Sequence, residues 1–119
     1  MDSETRRKLE SIGVDVEYTL ERFMGNEALY LKFVAKIGGD PTMKELCSCM
    51  EQREMQKAYR CAHTLKGLAS NLGLSDLQRA AENLAGILRD LPEENRMAIE
   101  AYRQLDQIMK KVIGVTQTL

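Results

Sequence analysis

His63 is the one histidine of the chain, and if it lies on a helix its neighbours at the next turn are Lys66 and Gly67, three and four residues on. A lone histidine in a helical domain is more often structural or incidental than reactive. Its place on the helix changes that reading. At ~100° per residue, Met55, Ala58, Ala62, Leu65, Ala69 and Leu72 share one apolar face, flanked by Tyr59, Cys61 and Leu68. His63 falls ~150° from the centre of that stripe. It shares a polar face with Gln56, Arg60, Gly67 and Ser70, so its ring should meet solvent.

An exposed imidazole, an ammonium group one turn away and a bare stretch of helix beside them describe a place where a phosphoryl group could be carried. A neutral imidazole nitrogen is a good nucleophile. The phosphorylated product bears added negative charge, which Lys66 could partly offset as a charge-assisted hydrogen-bond donor. Gly67 costs a helix interior ~1 kcal/mol relative to alanine. Close approach by another molecule would compensate, because the absent side chain leaves the ring open to a bulky partner. Close helix packing is the alternative role for a glycine, but the helical wheel puts Gly67 on the polar side. No Ser-His-Asp set, phosphate-binding glycine loop or paired carboxylates accompany His63, so activating machinery must come from a partner.

The elements that must position these residues are helical. Leu (15), Glu (12) and Ala (10) outnumber Val and Ile, which together reach 11, a balance that favours helix over sheet. From Ser75, the positions Leu77, Ala80, Ala81, Leu84, Ile87, Leu88 and Leu91 follow helical spacing, and Ser75 with Gln78 reads as a capping box. The next helix opens with Pro92, Glu93 and Glu94 as its first turn and carries Ala98, Ala101, Tyr102, Leu105, Ile108, Met109 and Val112 before stopping near Gly114. Residues 53 to 72 form the helix of His63, closed by Gly73. Shorter helices precede it. Asp15 caps one bearing Val16, Leu20 and Phe23 and ended by Gly25; Asn26 caps another bearing Leu29, Phe33 and Ile37. Gly38, Gly39, Asp40 and Pro41 then interrupt the pattern as a kink or a loop, with Asp40 as cap and Pro41 first in the helix of Met43, Leu46, Cys47 and Met50. Short connections imply antiparallel neighbours.

The 119 residues are 44% hydrophobic and 29% charged, which indicates one core and leaves no room for a two-domain enzyme. A net charge of -1 removes the main electrostatic case for nucleic-acid binding or a polybasic membrane anchor. No apolar run approaches the ~20 residues that span a bilayer, and the N-terminus is polar where a signal peptide would be apolar. With three cysteines that cannot all pair, a cytoplasmic, reducing location is expected. Cys47, Cys49, Cys61 and His63 have zinc-ligand chemistry, but helical residues two apart diverge by ~200°, so no metal site is expected. The cysteines read as packing residues, with Cys47 in the apolar stripe and Cys49 a free thiol. Most of Met24, Met43, Met50 and Met55 read as core. Partner contacts are assigned around His63 to Tyr59 and Leu68, with Arg60 and Lys57 facing an acidic pocket of the partner.

The stretch Ala62-His63-Thr64-Leu65-Lys66-Gly67-Leu68-Ala69-Ser70-Asn71-Leu72-Gly73 resembles the signature of histidine-containing phosphotransfer (HPt) domains, H-x-x-K-G followed by small residues and a glycine. Leu20 to Tyr30 also resembles that family's N-terminal region, and the likeness runs over roughly residues 12 to 113 within a single domain of residues 1–119. It implies an all-α, antiparallel four-helix bundle with additional short N-terminal helices. It further implies a carrier that shuttles a phosphoryl group between aspartates of response-regulator receiver domains, supplied by such a receiver or a hybrid histidine kinase. By the same likeness His63 is the phosphorylated residue, Lys66 the phosphate-stabilising neighbour and Gly67 the clearance for the receiver. No cofactor is expected on this chain, magnesium belonging to the receiver's acidic pocket. No ATP-binding domain follows in the sequence, so autophosphorylation from ATP is not expected; the carrier is expected to be monomeric. Two features depart from the pattern. Some relatives hold the ring with a glutamine 22 residues beyond the histidine, where this chain has Ala85, and the Gly38-Gly39 interruption bears on helix boundaries. A non-phosphorylated helical adaptor is the competing reading, disfavoured by the intact His63, Lys66 and Gly67.

Overall fold

In the computed structural model, which describes residues 1–93 and 95–119, seven α-helices and one 3₁₀ turn account for the regular structure. The helices are α1 (Ser3–Glu10), α2 (Val16–Arg22), α3 (Glu27–Ala35), α4 (Thr42–Glu51), α5 (Met55–Asn71), α6 (Ser75–Asp90) and α7 (Asn95–Thr116). No strand occurs among the described residues. α4 packs on α5, α5 on α6 and α6 on α7, and Cys47 of α4 meets Tyr102 of α7, which closes a four-helix bundle. The shorter N-terminal helices lie against it, α1 contacting both α2 and α7.

The bundle core follows the apolar stripes of its helices. Ala58, Ala62, Leu65 and Ala69 of α5 are buried against Leu77, Ala81, Leu84 and Leu88 of α6 and Ala98, Ala101, Leu105, Met109 and Val112 of α7. Each fully buried leucine contributes about 1.5–3 kcal/mol relative to an exposed one. Alanines on the inner face of α5 let the neighbouring helices approach closely.

Capping positions the N-terminal helices as the side chains predict. The Asp15 carboxylate accepts from the Tyr18 N–H (3.1 Å) and the Asn26 side chain from the Leu29 N–H (3.0 Å). Asp40 accepts from the Thr42 N–H at 2.9 Å, so it serves the start of α4, although Pro41 precedes that helix instead of opening it. Gly38 and Gly39 fall in the 3₁₀ turn Lys36–Gly39, a real break between α3 and α4. α1 has no periodic apolar pattern to announce it; Asp2 caps it through the Thr5 N–H (2.7 Å) and Leu9 anchors it in the core.

Several expected details differ. α5 begins at Met55 because Arg53 takes a left-handed backbone (φ 57°), which ends the preceding turn and cannot continue a helix. No Ser75–Gln78 capping box forms: Leu74 stands at the cap position of α6, so Ser75 is already in the first turn. Leu91 follows the last turn of α6 and is 46% exposed. Pro92 and Glu93 precede α7, Glu94 lies outside the described residues, and α7 runs past Gly114 to Thr116. In α3 the buried residues are Tyr30 and Val34, with Ile37 following in the 3₁₀ turn, while Leu29 and Phe33 face outward. The Tyr30 hydroxyl donates to the Leu72 carbonyl (2.8 Å) and sets that rotation of the helix. Met24 sits in a turn at φ 54°, 96% exposed, whereas Met43, Met50 and Met55 pack against the core.

Candidate functional site

α5 carries the site, and its inward face fixes what its outward face can present. With Ala62 and Leu65 buried on either side in sequence, the His63 ring is turned to solvent. Gly67 lies exposed one turn on, and a Cβ built there would meet nothing within 4 Å. The glycine therefore serves no packing contact among the described residues. Lys66 is partly covered, its Nζ 3.9 Å from Glu82 Oε1 of α6.

Tyr59, one turn before the histidine, is half-buried and stacks on its ring, with centroids 6.0 Å apart and planes inclined by 23°. Arg89 of α6 lies near the Tyr59 hydroxyl. Asp90, which accepts from the Arg89 guanidinium at 2.7 and 3.0 Å, and then Tyr59 raise Arg89 above its ordinary value. The Lys66–Glu82 contact, with Arg89 near Tyr59, fits an antiparallel α5–α6 register that puts Ala85 across from His63. Ala85 is 6% exposed and offers no polar side-chain atom to the ring. Glu82 and Arg89 were not legible as neighbours of this site, because only the packing of α6 brings them there.

Leu68 lines an apolar cavity of about 350 Å³ with Phe23, Phe33, Lys36, Ile37, Asp40, Asn71 and Leu72. It lies past Gly67 on the side where α3 meets α5. Phe23 packs edge-on against Tyr30 (5.2 Å, 72°) and is tilted against Phe33 (6.1 Å). Arg22 donates to the Ser70 carbonyl at 2.8 Å and ties the end of α2 to the last turns of α5. Phe33, expected on the inner stripe, instead rims this cavity, which no helical period announces. Lys57 and Arg60 take another direction: with Glu45, Glu54, Cys49, Cys61 and Thr64 they border a cleft of about 440 Å³ between α4 and α5. Lys57 pairs there with Glu54 at 3.3 Å. Arg60 is the member of that cleft next to the His63 face.

The cysteines separate. Cys47 faces Tyr102, whose hydroxyl is raised above its ordinary value by burial and then by Cys47. Cys49 faces Cys61, whose thiol is raised by burial and then by that neighbour. No group of three or more His, Cys, Asp or Glu side chains converges on a metal-sized space among the described residues.

The family model described as Hpt domain matches residues 33–113, more than half of the chain and inclusive of α4, α5 and α6. The chain belongs to the Hpt family. That membership implies phosphotransfer in two-component signalling, with receiver domains and kinases as the general partners of such domains. No curated protein and no solved structure matches the chain in the other comparisons. Among the described residues no helix is long and apolar enough to cross a membrane.

Proposed function

We propose that this protein accepts a phosphoryl group on His63 from the aspartyl phosphate of a response-regulator receiver domain, or of a hybrid kinase's receiver, and donates it to another. An imidazole nitrogen attacks phosphorus; the new N–P bond forms as the P–O bond to the aspartate breaks, and the aspartate leaves as its carboxylate. The imidazolium formed can release its remaining ring proton to water, and the reverse transfer restores the neutral ring. Lys66 offsets the charge arriving on His63, and the open surface at Gly67 admits the edge of the receiver's active site. The apolar cavity beyond Leu68, rimmed by Phe33, supplies the greasy part of the docking surface, with Tyr59 and Arg60 nearer the histidine and Lys57 at its margin.

In this reading magnesium sits with the receiver and no cofactor is held here, so the protein is a carrier whose catalytic groups come from its partner. It works in the cytoplasm, as a monomer, with residues 1–119 as one functional unit. The observation that carries the reading is an exposed imidazole with unobstructed helix beside it, in a chain of the Hpt family. The test is incubation with phosphorylated receiver domains from the source genome. An acid-labile, alkali-stable phosphate should appear on the protein and be absent from His63→Gln. Labelling that survives the substitution overturns the assignment, and no labelling by any receiver favours a helical adaptor instead.

A further inference from the structure

We propose that Tyr59 is a positioning residue for His63: stacked on the imidazole from one turn earlier in α5, its ring sets the plane in which the acceptor nitrogen meets phosphorus. This rests on the reading of His63 as the phosphoryl acceptor. An exposed imidazole is otherwise poorly restrained, since rotation about its ring torsion is broad. Across from it on α6 stands Ala85, which has no group to hold it, and beside that Gly86, where even an added Cβ would meet nothing within 4 Å. Tyr59 fills the role from the same helix. The i, i+4 spacing brings the two side chains together, and their 6.0 Å separation and 23° inclination lie within the range of offset-stacked rings.

A platform orients only if it is itself held. The Tyr59 ring packs against the core cluster, so its plane is fixed by burial independently of its hydroxyl. The tyrosine ring is thus held by the core while the histidine is held by one face. The stacked face leaves the opposite side of the imidazole and the ring edge toward Gly67 open. Narrowing the orientations of a nucleophile raises the fraction of encounters that have reacting geometry.

The experiment uses the full chain and phosphoramidate, a small donor whose P–N bond breaks to release ammonia as the imidazole N–P bond forms. Because no receiver docks, loss of a partner contact cannot change this rate. In Tyr59→Leu the His63 ring protons should lose the upfield displacement produced by a stacked aromatic ring, and phosphorylation should slow by about 2- to 10-fold, the range one aromatic pair can supply. Tyr59→Phe should restore both. Tyr59→Ala provides a second unstacked variant should leucine disturb the helix, with circular dichroism reporting folding. Unchanged ring-proton resonances, an unchanged rate, or a phenylalanine variant as slow as the leucine one overturns the proposal. Failure of the relay reading looks different: phosphoramidate modifies His63 with the Tyr59 dependence intact, yet no phosphorylated receiver does.

Discussion

Lys66 and Glu82 face each other across the α5–α6 groove at 3.9 Å, so the ammonium group nearest in sequence to His63 already has a carboxylate partner before any phosphoryl group arrives. The pair is loose and partly solvated, with about a third of the Lys66 side chain exposed and more than half of that of Glu82. Ion pairs of this kind contribute about 0–1 kcal/mol. Lys66 can therefore turn toward a phosphohistidine at little cost, and Glu82 competes with the phosphate for it.

Two substitutions separate those effects. Lys66→Ala should shorten the phosphohistidine lifetime or slow transfer by up to about 5-fold, and Glu82→Gln should lengthen that lifetime by a smaller factor, both within ~1 kcal/mol. Decay of the labelled protein at neutral pH, followed at low and high salt, measures it. Screening should diminish both effects. Equal lifetimes in all three proteins would leave Lys66 without the role assigned to it.

Gly67→Gln should separate stability from transfer. No neighbouring atom lies where its Cβ would stand, and glutamine is the better helix former by roughly 0.5–1 kcal/mol. Thermal unfolding should therefore occur at the same or a slightly higher temperature, while transfer from a phosphorylated receiver slows at least tenfold as the docked distance grows. An undiminished rate would remove the clearance role.

At Gly73 the opposite outcome is expected. Its φ of 71° disfavours any side chain, and an added Cβ would overlap the Oγ1 of buried Thr19. Gly73→Ala should cost about 2–4 kcal/mol by denaturant unfolding, combining backbone strain with overpacking. Adding Thr19→Ala should recover the overpacking part but not the strain. Full additivity of the two losses would show that the contact is unimportant.

Alkaline pH should destabilise the protein through Tyr30. Burial raises its hydroxyl above the ordinary value of about 10, and that hydroxyl donates to the Leu72 carbonyl. A group whose folded pKa is raised contributes stability in full below its unfolded value, and the contribution is lost as pH rises from there through the folded value. Urea midpoints should thus fall above about pH 10. Tyr30→Phe should be about 1–3 kcal/mol less stable at neutral pH, from the unpaired buried carbonyl, but should show a shallower alkaline decline. An identical decline would assign the effect to other groups, of which Tyr102, raised first by burial, is the nearest in kind.

Reading helices from sequence succeeded where one stripe repeats over several turns. α5 and α6 each present such a stripe, and the prediction that His63 stands outside it needs only the helical angle. Reading failed where one or two contacts decide orientation. The outward turn of Leu29 and Phe33 depends on Tyr30 reaching Leu72, forty-two residues away. α1 stayed hidden because a charged segment with one buried leucine carries no period.

The chain's own residue order determined the all-helical class, the asparagine and aspartate caps, and the exposed His63-Lys66-Gly67 surface, because each depends on spacing within a few turns. Tertiary structure alone decided what stands beside that surface: Glu82 at Lys66, Arg89 at Tyr59, a bare Ala85 across from the imidazole, and the cavity between α3 and α5. Periodicity specifies which face of a helix turns inward, but the register between two helices is set by how their side chains interdigitate, and no single helix contains that information.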